Sequence, residues 1–298
     1  MAAAIDLRTE IRAFLTSRRS RITPEESGLS AYGGNRRVTG LRREEVALLA
    51  GVSVEYYVRM ERGALAGTSE RVLDGLASAL QLTDAERDHL FHLARQSGAH
   101  SSRRSRRTVA TVRPGLQQVL DAITDAPALI RNDRHDVLAT NQLARALFST
   151  VLADPRRPAN IARFVYLDPD AAKNFFVDYD HVTGNAAAIL RMEAGRNPHD
   201  EELVALVNEL LRSSDLFRRQ WASQDVRLHG YGSKRVNHPI VGRLDLDFES
   251  MDLPSDPGLH LNVYTAPAGS AADNLAELAS WAVREMSVDS RSGTDHRT

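Results

Sequence analysis

The residues of this chain best suited to chemistry are those that could grip a polyanion. Arg42 and Arg43 open an apolar-patterned stretch, and Ser53, Val54, Glu55, Tyr56 and Arg59 follow Gly51 within Leu41 to Gly63, LRREEVALLAGVSVEYYVRMERG. A guanidinium such as that of Arg59 can read guanine bidentately, and arginines at a helix start meet phosphate where backbone N–H groups already favour an anion. Arg36 and Arg37, a few residues upstream, either reach a phosphate or the minor groove or are simply solvated.

Catalytic and metal-binding constellations are weaker. His89 and His92 lie three apart with no third ligand placed by spacing, so packing or surface roles are the default. Asp178, Asp180 and His181 would project in different directions from one helix, and Asp245 and Asp247 would share the wet face of a hairpin. No G-x-S-x-G, H-E-x-x-H, Walker loop or G-x-G-x-x-G occurs, and Gly33-Gly34-Asn35 lacks the strand a phosphate cradle requires. The absence of cysteine removes disulfides, thiolate zinc sites and cysteine nucleophiles together. The expectation is no enzyme, no metal and no catalytic cofactor.

The polyanion-binding residues need a scaffold, and the apolar pattern predicts one. Val46, Ala47, Leu49 and Ala50 recur at helical spacing, Gly51 permits the left-handed backbone that ends a helix, and Ser53 suits the N-cap of a second helix, Val54 to Arg62. Tyr57 and Met60 then face the first helix, which leaves Val54, Glu55, Tyr56 and Arg59 pointing outward. Such a pair is a helix-turn-helix, whose partner is a double-stranded DNA operator. A helix is also predicted over Ile5 to about Arg19, a long loop over Ser20 to Gly40, and helices over Ser69–Leu80 and Thr83–Ala94, the last opened by a Thr83–Glu86 capping box. Five helices make an all-α domain over residues 1–95.

At 298 residues, 42% hydrophobic and 26% charged, the chain has room for a second domain. The net charge of -1 hides an asymmetry: residues 1–113 hold 19 Arg and no Lys against 13 acids, the remainder 19 basic residues against 26 acids. Only the basic half is expected to touch nucleic acid. Residues 96–112, with SGAHSSRRSRRT, read as a basic linker. Over 113–286 the pattern predicts a helix from Pro114, short strands Ala128–Ile130 and Val137–Ala139, a helix Asn141–Phe148 and one long helix Ala171–Ala194 bent at Gly184. Helices Leu203–Leu211 and Leu216–Trp221 follow, then a Val236–Pro239 and Arg243–Phe248 hairpin, a strand His260–Thr265 and a closing helix Ala271–Val283. Residues 287–298 read as a disordered polar tail. No apolar run spans a bilayer and the N-terminus lacks a signal-peptide pattern, so no membrane partner and a cytoplasmic location are expected.

The Leu41–Gly63 segment resembles the XRE-type, lambda-repressor-like helix-turn-helix, and GLRREEVALLAGVSVEYYVRMERG is similar more narrowly to the MmyB-like regulators of actinobacteria. VRPGLQQVLDAITDAPALIRND, ARFVYLDPDA, WASQDVRLH, HPIVGRLDLDFE and VYTAPAGS resemble landmarks of that family along most of the chain. The resemblance implies a multi-domain protein in which the five-helix domain precedes an α+β, PAS-like ligand-binding domain. It also implies a homodimeric transcriptional regulator controlled by a small apolar, fatty-acid-like ligand. The alternatives are a constitutive DNA-binding protein with a purely dimerising second domain and, more remotely, an enzyme in the acidic half.

Phe164, Phe175, Phe176, Trp221, Leu246 and Val263 come from several predicted elements and would line an apolar pocket or fill an ordinary core. A carboxylate ligand would need a basic group, for which Arg131, Arg227 and His238 are candidates, His238 preferred for its place between two strands. Gln224 stands where the family usually has His, and Val236 where it usually has an aromatic residue.

Overall fold

The structure is a computed structural model that describes residues 6–29, 38–98, 111–227 and 230–292. In chain order the elements are α1 (Leu7–Arg21), α2 (Arg43–Ala50), α3 (Val54–Glu61), α4 (Glu70–Ala79), α5 (Asp84–Gly98) and α6 (Pro114–Ala122). Strands β1 (Ala128–Asn132) and β2 (Val137–Thr140) lead to α7 (Gln142–Leu147), α8 (Ser149–Leu152), α9 (Ile161–Leu167) and α10 (Pro169–Phe175). Then come α11 (Tyr179–Arg196), α12 (Glu201–Ser213), α13 (Asp215–Ala222), β3 (Tyr231–His238), β4 (Gly242–Asp252), β5 (Leu259–Thr265) and α14 (Ser270–Ser292).

The chain forms two compact units, but not in simple sequence order. Residues 1–106 and 187–228 make the first, residues 107–186 and 229–298 the second. The expected division at a linker therefore misses that the C-terminal part of α11, with α12 and α13, belongs with the helix-turn-helix. Met192 and Val226 accordingly join the same core as Phe14, Leu15, Tyr57, Met60 and Leu90.

In the first unit α1 buries Glu10, Ile11, Phe14, Leu15 and Arg18, a single helical stripe. Gly51 ends α2 at φ 67°, and the Ser53 hydroxyl accepts the Tyr56 N–H at 3.1 Å to start α3. Gly63, at φ 97°, lies so close to α1 that a Cβ would stand 2.8 Å from the Cα of Arg8. That approach fixes the end of α3 against the start of α1. The Thr83–Glu86 capping box forms as the sequence predicts, the Thr83 N–H donating to Glu86 at 2.9 Å.

His89 is fully buried on α5, edge-on to Phe14 at 5.0 Å, with neither ring nitrogen hydrogen-bonded. Burial, reinforced by His92, Arg18 and Arg196, pushes it down to about 3. The unfolded chain takes up this proton near the usual histidine value, 6.5, whereas the folded chain refuses it until far lower pH. Stability is therefore full above that value and falls on acidification by about 1.4 kcal/mol per pH unit at most from this site. Thermal unfolding between about pH 7 and about pH 5 should show a steeper loss in the wild type than in His89→Leu; equal slopes would remove His89 as the cause.

The second unit is built on one antiparallel five-stranded sheet of order β2-β1-β5-β4-β3, the PAS-like arrangement expected. Period-two alternation along β4 buries Leu244, Leu246 and Phe248 between exposed Arg243, Asp245 and Asp247. On the opposite sheet face, Ala128, Ile130 and Leu259 pack with Leu120 of α6.

Several boundaries differ from expectation. The single helix predicted over Ala171–Ala194 is two, because Phe176 leaves helical geometry to bridge Val236 and the Val177 N–H donates to the Arg235 carbonyl at 3.0 Å. Pairing with the sheet outweighs local helix propensity there, while α11 continues without interruption across Gly184. Helix α5 extends to Gly98, into the predicted linker, and α14 continues to Ser292, into the predicted tail, since each added residue of an established helix gains a hydrogen bond. The rest of the linker, 99–110, and residues 293–298 lie outside the described residues.

Candidate functional site

Helix α3 presents Val54, Glu55, Arg59 and Arg62 to solvent, with Tyr56 half-buried, while Tyr57 and Met60 are wholly buried against the rest of the unit. The Arg59 guanidinium lies over the Tyr56 ring, 4.8 Å from its centre. An open groove of about 550 Å³ runs beside the helix, lined by Arg8, Val54, Glu55, Val58, Arg59, Arg62 and Ala64. Three guanidinium groups against one carboxylate make it an electropositive surface suited to a phosphate backbone. Arg8 and Arg62 were not singled out from sequence. Arg62, three residues after Arg59, was legible by helical spacing; Arg8 arrives only through the close packing at Gly63. Arg36 and Arg37 lie outside the described residues.

Arg42 and Arg43 do stand at the start of α2, with the Arg42 backbone N–H capped by the Glu45 carboxylate at 2.6 Å. Arg43 is not simply solvated. Its Nε donates to Glu61, which is 2% exposed and also accepts from Arg19 Nε at 2.7 Å and Tyr57 Oη at 3.4 Å. Burial alone would raise the Glu61 carboxyl, but hydrogen bonds from Arg43 and Arg19 outweigh it and hold the group below the usual range. Glu61 thus ties α1, the start of α2 and the end of α3 together, and so fixes how the exposed face of α3 is held.

Trp221 is not part of an apolar pocket in the second unit. It belongs to the first unit, stacked on Phe217 at 5.4 Å, with the guanidinium of Arg191 4.0 Å from its ring centre. Arg191, 1% exposed, also donates to Gln224 Oε1 at 3.0 Å and to the Trp221 carbonyl, and pairs with Glu10 of α1. Arg18 donates to the Gln224 carbonyl and pairs with Glu86 at 2.8 Å. Burial pushes Arg191 down to about 9 and Arg18 to about 10. Gln224 therefore sits in a joint with α1, and Arg227, exposed in this same unit, is no part of the second unit's interior.

The second unit does bring Phe164, Phe175 and Phe176 together, with ring centres 4.8–6.3 Å apart, and joins them through Phe148 to Tyr264 and Phe248. Leu246 is buried on the same strand as Phe248, two residues away. Val263 is not among them: β5 alternates, so Tyr264 faces the aromatic group and Val263 packs with Ala128 and Ile130 on the other face. His238 is buried with both nitrogens used, Nε2 to the Ala146 carbonyl at 3.1 Å and Nδ1 accepting the Ile240 N–H at 3.3 Å. It closes the hairpin and is not available as a ligand head-group contact. Arg131 is buried, and beside the aromatic group lies Lys234, which the sequence reading passed over.

The metal-like clusters dissolve. Asp178 pairs with Arg235, the His181 ring meets Asn185, His92 Nδ1 meets the Asp88 carbonyl and Asp245 pairs with Arg243. Among the described residues no group of three His, Asp or Glu could hold a metal ion, and no helix is long and apolar enough to cross a membrane.

An exposed recognition helix on a helix-turn-helix, carried with a mixed helix and antiparallel-sheet unit, defines a DNA-binding transcription regulator of two-domain type. The profile of the helix-turn-helix domain matches residues 10–90, and that of the MmyB-like transcription regulator ligand binding domain matches residues 112–278. The chain belongs to the MmyB-like transcription regulator family. A comparison with curated proteins finds no match.

Proposed function

We propose that this regulator reads its operator as a homodimer, with Arg59 at base edges and Arg8, Arg42, Arg43 and Arg62 on phosphates, and that a small apolar ligand of fatty-acid type in the second unit sets its DNA affinity. The observation that carries the DNA half is the solvent-facing groove along α3 with its three arginines. The ligand half is supported by the aromatic group around Phe164, Phe175 and Phe176, apolar side chains of the kind that line small-ligand sites.

DNA selected by the protein from a random pool provides the test. Arg59→Ala should lower the preference for selected over random DNA by about 1–3 kcal/mol at one base position. Arg62→Ala should weaken both DNAs alike and reduce the salt dependence by about one counterion. Equal losses from both variants on both DNAs would refute the assignment of roles.

A further inference from the structure

Helix α3 carries a carboxylate four residues before a guanidinium, Glu55 and Arg59, and both are exposed. An acid followed four residues later by a cation is the favoured order for an ion pair on a helix. The two nevertheless do not pair, and among the described residues neither makes a hydrogen bond or ion pair at all. The guanidinium lies instead over the ring of Tyr56, three residues before it, 4.8 Å from the ring centre. A cation held at this distance from an aromatic face gains at least as much as it does in an exposed ion pair, so the ring wins the competition.

The ring wins also because it is fixed. The Tyr56 N–H is bound to the Ser53 hydroxyl at 3.1 Å, and the half-buried side chain packs against the core that holds Tyr57 and Met60. A fixed plane beneath a long, exposed arginine removes part of the rotamer freedom that arginine would otherwise lose on binding.

The consequence falls on both charges. A guanidinium stacked through its face keeps its in-plane N–H donors, the set that meets guanine O6 and N7. The carboxylate left behind is open to accept from the amino group of cytosine. Glu55 also shares the groove with Arg8, Arg59 and Arg62, so against a phosphate backbone it is the repulsive group. The helix dipole accounts for an acid in the first turn, but not for its lack of a partner in a groove lined by three guanidinium groups. A group that weakens binding to any duplex, and is compensated only where a donor meets it, makes a surface discriminate.

We propose that Tyr56 is the positioning residue of the reading face: it holds Arg59 off Glu55 and leaves both open, Arg59 to a guanine and Glu55 to the amino group of a cytosine. This rests on the reading of α3 as the base-contacting helix and names G·C pairs as what that helix selects.

The test selects duplexes from a random pool with the full chain, then replaces bases of the selected sequence one at a time. 7-Deazaguanine lacks the N7 acceptor, and N4-methylcytosine carries a methyl group in place of an amino hydrogen. For the wild type each replacement should weaken binding about tenfold or more at one position at least. In Glu55→Ala the N4-methylcytosine effect should fall to about twofold or less, the 7-deazaguanine effect should persist, and affinity for random DNA should rise. In Tyr56→Leu both effects should shrink to about threefold or less, with affinity for random DNA held within about twofold, and Tyr56→Phe, which keeps the ring, should retain both. Unchanged effects in Tyr56→Leu, a Tyr56→Phe variant as impaired as Tyr56→Leu, or a wild type indifferent to N4-methylcytosine at every position overturns this proposal and leaves Arg59 as a base reader. A wild type indifferent to 7-deazaguanine at every position overturns both.

Discussion

Glu61→Leu is expected to destabilise the helix-turn-helix unit by about 3–5 kcal/mol, the usual cost of removing one partner from a buried ion pair. Its carboxylate is the shared acceptor for Arg19, Arg43 and Tyr57. Arg43 can turn to water, its side chain being 54% exposed, but Arg19 at 13% cannot. The penalty thus comes mainly from an uncompensated guanidinium between α1 and α3. Denaturant unfolding followed by helical circular dichroism should show the loss, and DNA affinity measured well below the new midpoint should fall on selected and random sequences together, because α2 and α3 lose their common anchor. A variant that unfolds like wild type would show that the three donors find solvent without cost.

Arg191→Met should cost a similar amount, about 3–5 kcal/mol, for the opposite reason: it strands the acid. Glu10 is 7% exposed and would lose the cation it is paired with. The Arg191 stack on Trp221 and the bond to Gln224 would vanish as well. Trp221 and Trp281 are the two tryptophans, and Trp221 reports on this joint by fluorescence. The double variant Arg191→Met, Glu10→Leu should recover much of the loss, since neither member of the pair is then left without its partner. Arg218→Met, which breaks an exposed pair with Asp215, should change stability by only about 0–1 kcal/mol. If Arg191→Met were no worse than Arg218→Met, the joint would be ornamental.

What could be read from sequence was what local spacing decides. Gly51, Ser53, Tyr57 and Met60 announce the turn, the cap and the buried face of α3 because each acts within four residues of its partner. The strands of the second unit and the helices at Pro114, Asn141 and the C-terminal end were legible for the same reason, whereas the helices Ser149–Leu152 and Ile161–Leu167 were not foreseen. The failures share a different cause, contacts far apart in the chain. Phe176 breaks a helix because β3 lies beside it, Arg8 joins the α3 groove because Gly63 allows close approach, and Trp221 turns to Arg191 and Phe217. Val263 was a parity error, one residue from the correct face. Lys234 was missed because the strand was expected to begin at Val236; begun at Tyr231, its alternation with Val236 and His238 places a lone ammonium inward.

The return of residues 187–228 to the first unit bears on how the protein is made. Glu10 and Arg18 await Arg191 and Gln224, so the joint cannot close until the ribosome has passed residue 224. At about 5–20 residues per second the nascent chain spends many seconds with its recognition helix translated but its support missing. A polypeptide halted before that point, by a stalled ribosome or a premature stop codon, would carry the whole helix-turn-helix and still lack the packing that α1 is built to receive.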